Sequence, residues 1–139
     1  MRRKSLSVEK VLVELGKWVL AKQGEDLAVI DVKGLCSYAD YLIIASARST
    51  RQAKAIAEYL IEESPKIGVK PLGSEGLNYG NWVLLDFADI VVHIFYKPVR
   101  EYYELEGLWA DAKGFEINDE KDLKQFIPSK RRASRKKSQ

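Results

Sequence analysis

Tyr41-Leu42-Ile43-Ile44-Ala45-Ser46-Ala47-Arg48-Ser49-Thr50-Arg51-Gln52 decides the fold class. Its first five residues are apolar without interruption, the pattern of a strand buried on both faces and so central in its sheet. Ser49-Thr50-Arg51-Gln52 then fits a capping box, with Ser49 capping and Gln52 reaching back. Ala53, Ile56, Ala57, Leu60 and Ile61 follow at helical spacing, and Ser64-Pro65 stops the helix. A central strand feeding an amphipathic helix is the building unit of a layered α/β domain.

Upstream, Ser7 caps a helix whose apolar stripe is Val8, Val11, Leu12, Leu15, Trp18 and Val19, with Gly24 beyond its end. Leu27–Val32 is a strand that breaks at Lys33-Gly34. Downstream, Val69–Leu72 is short and contains Pro71, which suits an edge strand or an extended loop. Gly73–Asn81 reads as a flexible loop, and Trp82–Leu85 and Ile90–Tyr96 as the strands of a hairpin. A two-residue turn would want Gly or Asn where Ala88 stands, so a longer connection is expected at Asp86-Phe87-Ala88-Asp89. After Pro98 a last helix is expected to bury Val99, Tyr102, Leu105, Leu108 and Trp109, weakened in its middle by Gly107. The order predicts one α/β domain, residues 1–127, with a mixed β-sheet flanked by helices. Residues 128–139 hold almost nothing apolar and read as a disordered basic tail.

Composition narrows the function classes. The 139 residues are 46% hydrophobic and 31% charged, ordinary for a globular domain, and no apolar run approaches the ~20 residues that span a bilayer. One cysteine (Cys36, with nothing basic beside it, expected to be inert) excludes a disulfide framework and a thiolate zinc site. One histidine (His93) excludes a two-histidine metal motif. Met1-Arg2-Arg3-Lys4 is basic, but the helix starts too soon after it for a signal or transit peptide, and a cytoplasmic protein is expected.

The net charge of +3 conceals a strong asymmetry. Arg2, Arg3, Lys4, Lys130, Arg131, Arg132, Arg135, Lys136 and Lys137 leave 23 − 9 = 14 basic residues between the two ends, against all 20 acidic ones. The body therefore carries −6. Such a body suits a basic partner and repels bare RNA, whereas the tail attracts polyanions without choosing among them.

Asp86, Asp89 and His93 are the one set of residues here that suggests catalysis or a metal. Along a strand, 89 and 93 lie about 13 Å apart, and aspartates flanking a tight turn serve the turn itself. His93, among Val91, Val92, Ile94 and Phe95, reads as a hydrogen-bonded sheet residue. Gly73-Ser74-Glu75-Gly76 lacks the pattern of a phosphate loop. No enzyme activity and no cofactor are expected. Four aromatics fit the core poorly: Trp82 after a polar loop, Phe87 at a hairpin tip where exposure is expected, and the adjacent Tyr102 and Tyr103. The apolar stripe claims Tyr102 and pushes Tyr103 to the rim. Exposed rings of this kind are common anchors for protein partners.

Several blocks together resemble the ribosomal silencing factor (RsfS, Iojap) family: Asp40–Ser46, Ser49–Gln52, Glu75-Gly76, Trp82–Asp86, Asp89–His93 and Arg100–Trp109. The resemblance spans roughly residues 7 to 112, departing at Ala88, where the family usually has Gly, and in the basic tail. It implies a nucleotidyltransferase-like α/β fold without that fold's catalytic residues. It also implies a translational repressor that binds ribosomal protein L-fourteen of the large subunit and blocks joining of the small subunit when nutrients are scarce. Carried residue by residue, it places Trp82 and Tyr103 against the ribosomal protein, with Glu104 beside Tyr103; Phe87 is added from its place at the hairpin tip. Lys130, Arg131, Arg132, Arg135, Lys136 and Lys137 are expected to add non-specific contact with ribosomal RNA, and exposed rings or strands would permit a homodimer of the free protein. Two rival classes are a general RNA-binding or ribosome-assembly module driven by the basic termini, and a metal-dependent nucleotidyl-transfer enzyme using Asp86 and Asp89.

Overall fold

A computed structural model of the chain describes residues 6–127. The expected basic tail, with Lys130, Arg131, Arg132, Arg135, Lys136 and Lys137, lies outside the described residues. Helix α1 (Val8–Ala21) is capped by Ser7, whose hydroxyl accepts the Lys10 N–H at 3.1 Å. The strands are β1 (Glu25–Asp31), β2 (Tyr41–Ala47), β3 (Gly73–Glu75), β4 (Trp82–Asp86), β5 (Ile90–Tyr96) and β6 (Lys113–Ile117). They form one six-stranded sheet in the order β3-β4-β5-β2-β1-β6. Only β2 and β5 run parallel; every other neighbouring pair is antiparallel. β2 is buried along its whole length, as its unbroken apolar run requires.

Helix α2 (Thr50–Glu63) starts as expected, Ser49 Oγ accepting the Gln52 N–H at 3.0 Å. The Gln52 side chain reaches back one residue further than a capping box would take it. Its Oε1 accepts the Arg48 N–H, and its Nε2 donates to the carbonyls of Lys22 and Gln23. One side chain thus joins the ends of α1 and α2.

The two faces of the sheet are covered unequally. One packs on α1, α2 and the short α4 (Glu120–Leu123) through the larger core, which includes Leu12, Leu15, Ile43, Ile56, Leu60, Leu85 and Ile94. Leu123 docks where Gly16 leaves room on α1; a Cβ there would sit 2.7 Å from the leucine. Among the described residues the other face is covered by α3 (Lys97–Tyr103) and a 3₁₀ turn, Leu105–Trp109. Among the described residues no helix is long and apolar enough to cross a membrane.

Five local expectations need correction. The edge strand is Gly73–Glu75, not Val69–Leu72, since Pro71 has no N–H to give a ladder. The β4–β5 hairpin closes in two residues, the Phe87 N–H donating to the Ile90 carbonyl at 2.9 Å. Ala88 takes the positive φ of 73° itself, and Asp86 Oδ1 offsets the strain by accepting the Ala88 N–H at 2.8 Å. The expected last helix ends at Tyr103, because Glu104 adopts φ 47° and hands over to the 3₁₀ turn. Tyr102, expected inside, is 80% exposed: the stripe that claimed it assumed an unbroken helix. Beyond Trp109 lie β6 and α4, neither foreseen, α4 opening on a capping box between Asp119 and Asp122.

Candidate docking face

The register fixes which side chains share the thinly covered face. Trp82 lies opposite Phe95, Leu84 opposite His93 and Asp86 opposite Val91, while Glu75 lies opposite Leu84. Across the parallel pair, Ile44 lies beside His93 and Leu42 beside Val91. Partners in register point to the same side, so these residues form one surface.

Trp82, the first residue of β4, is the centre of an aromatic cluster. Its ring centroid lies 4.7 Å from Phe95, 5.0 Å from Tyr103 and 5.9 Å from His93. Tyr103 meets Tyr102 edge-on at 5.0 Å. Phe95 is fully buried beneath, Trp82 is half-buried, and Tyr103 is 54% exposed. The cluster thus rises from core to solvent in three layers. The preceding loop is fitted to it as well: Gly76 has φ 79°, and a Cβ there would stand 2.0 Å from the Trp82 carbonyl oxygen.

Arg100 holds α3 in place. Its guanidinium donates to Glu106 through Nε at 3.1 Å and Nη2 at 2.5 Å, and through Nη1 to the Asp26 carbonyl at 2.7 Å and Ser46 Oγ at 2.9 Å. All three nitrogens are engaged and the side chain is largely buried. The neighbouring concavity of about 430 Å³, lined by Ala28, Arg100, Glu106, Trp109 and Phe115 among others, therefore offers no free cation to an anionic ligand.

The electrostatics favour a cation-rich partner. Glu75 and Asp86 lie on the face, with Glu101 and Glu104 exposed on α3 and at its end. His93 Nδ1 accepts the Trp82 indole N–H at 3.0 Å, and burial lowers its pKa to about 4, so the imidazole is neutral at pH 7. Among the described residues no group of three His, Cys, Asp or Glu is placed to hold a metal ion. Asp86 serves its turn, and His93 is a sheet residue hydrogen-bonded within the cluster, as its sequence context implies. What this arrangement can do is bind a surface: large rings at the centre, carboxylates at the rim.

The ribosomal silencing factor model, described as "Ribosomal silencing factor during starvation", matches residues 5–139. The chain belongs to this family. The ribosomal silencing factor RsfS of Bacillus subtilis is 40% identical over 91 residues, covering 66% of this chain and 77% of that protein. That of Haemophilus influenzae is 41% identical over 88 residues, covering 63% and 86%. A crystal structure of a Chromobacterium violaceum protein superposes with a TM-score of 0.74 at 32% identity, covering 81% of this chain and 94% of that one.

Of the four partner-contacting candidates among the described residues, the fold brings three to one region. Trp82 and Tyr103 touch, and Glu104 follows Tyr103 directly. Phe87 does not join them. It is 7% exposed and sits in the opposite core, because 83, 85 and 87 share the phase of β4 that faces the helices. Sequence reasoning missed His93 and Phe95 as parts of the cluster, and misjudged Tyr102. The signal for the first two was the period-two match of Val91, His93 and Phe95 to Asp86, Leu84 and Trp82 across the hairpin.

Proposed function

We propose that this chain represses translation by binding ribosomal protein L-fourteen on the large ribosomal subunit and obstructing the small subunit, chiefly when nutrients are scarce. The mechanism is steric and needs no reaction. Trp82, Tyr103 and the adjacent Tyr102 supply the apolar anchor, and the surrounding carboxylates draw the face toward a cationic protein surface. An interface on the order of 1,200–2,000 Å² would suffice for stable occupancy. The observation that carries this reading is the exposed Tyr103 ring packed against Trp82, tilted at 48°, in a domain of this family.

Sucrose-gradient sedimentation tests partner and mechanism together. Purified protein in excess should migrate with large subunits and reduce formation of complete ribosomes from isolated subunits. Normal joining with the protein bound would refute the steric mechanism; no co-migration would refute the partner. The basic tail adds non-specific attraction to ribosomal RNA in this scheme. Deleting residues 129–139 should weaken binding and make its salt dependence shallower, and an unchanged salt slope would remove the tail from the mechanism.

A further inference from the structure

His93 is the one imidazole within the aromatic cluster, and its two nitrogens have different roles. An indole N–H can only donate, so Nδ1, 3.0 Å from Trp82 Nε1, must present a lone pair. A neutral imidazole with a bare Nδ1 carries its proton on Nε2. Among the described residues, Nε2 has no hydrogen-bond partner within the chain. The only sealed side-chain nitrogen or oxygen lacking a partner among those residues is Ser64 Oγ, so Nε2 keeps a small accessible area although His93 as a whole is only 7% exposed. Trp82 thus fixes the tautomer, and the tautomer leaves an unpaired N–H donor between the rings of the face.

We propose that His93 is a specificity-determining residue of the docking face, its Nε2–H donating to a main-chain carbonyl oxygen of the bound protein while its Nδ1 holds Trp82 in position. This rests on the docking reading above. The acceptor is a neutral oxygen because Glu75 and Asp86 on the same face disfavour an approaching carboxylate. A partner that buried this N–H without an acceptor would lose affinity, so the group discriminates among apolar surfaces that the rings alone would accept.

The chain's only histidine makes the wild-type test direct. Ring ¹⁵N NMR of the free full-length protein should show Nδ1 bare and Nε2 protonated; the opposite tautomer would overturn the proposal. Three variants, each checked for native unfolding behaviour, then separate the two nitrogens by their affinity for purified large subunits. His93→Phe removes both functions and should weaken binding by about tenfold or more. His93→Asn places an amide near the Nδ1 position and keeps the Trp82 contact without the surface donor; it should bind as weakly as the Phe variant. His93→Gln carries an N–H toward the Nε2 position and should recover most of the affinity. Wild-type binding by the Asn or Phe variant, or no recovery by the Gln variant, would refute the donor role. Trp82→Ala and Tyr103→Ala, run in parallel, report on the docking reading itself: if they bind normally that reading fails, and if they alone lose binding only the His93 proposal fails.

Discussion

Replacing Tyr103 by Ala separates affinity from folding better than any other change on the face. A tyrosine has roughly 200 Å² to bury, and 54% exposure leaves about 100 Å² for a partner. At about 25 cal/mol per Å² that is about 2.5 kcal/mol, or a loss of about 70-fold in affinity for large subunits. The cost to the fold is smaller. The variant loses one face of the Trp82 contact, worth about 1 kcal/mol, and no buried hydrogen bond. Co-sedimentation over a range of protein concentrations measures the affinity, and urea unfolding followed by tryptophan fluorescence measures the stability. A natively folded Tyr103→Ala protein that binds within twofold of the wild type would refute the assignment of this ring to the interface. So would a variant whose lost binding merely tracks its unfolded fraction.

Phe87→Ala should do the reverse, lowering stability by about 3–4 kcal/mol while the folded fraction binds subunits normally, which a binding assay corrected for unfolding will show. Gly76→Ala combines a positive φ with a clash against the Trp82 carbonyl and should cost about 2 kcal/mol or more, seen as a lowered urea midpoint. For His93 the unfolded ring titrates near 6.5 and the folded ring at about 4, so between these values the unfolded chain binds the extra proton. Its contribution is fully present above pH 6.5 and falls by about 3 kcal/mol as the pH drops to about 4; urea unfolding at pH 7 and pH 4.5 should show this dependence, reduced in His93→Gln.

The sequence was most legible where one local rule determined the structure alone. The unbroken apolar run at Tyr41–Ala45 fixed β2 as central, and Ser7 and Ser49 marked the two long helices to the residue. It was least legible where tertiary contacts overrode local preference. Ala88 accepts a conformation that suits glycine because Asp86 bonds its N–H. Glu104 turns left-handed because Arg100 anchors the helix before it and Glu106 after it, an ion pair that spacing alone does not announce. Strand β6 has little apolar alternation beyond Phe115 and Ile117, and its pairing with β1 is a long-range contact. For the candidate site, the aromatics could be picked out by their poor fit to a core. Which of them met was a matter of strand phase. Trp82 pairs with Phe95 and falls on the thinly covered face, while Phe87, five positions on, falls on the helical one.

Unequal cover of the two faces also explains why this fold can afford such a surface. Three helices seal one side of the sheet and carry most of the core, so stability does not require the other side to close. There, a seven-residue helix shields only part of the second cluster. Its anchor, Arg100, engages all three guanidinium nitrogens within its own chain. Glu106 neutralises the positive charge that would otherwise draw RNA to this face, while Glu75, Glu101 and Glu104 stay exposed. With the body at −6, long-range attraction points the rings toward a basic protein and away from bare phosphate. Close-range selection then falls to the rings and the one N–H between them.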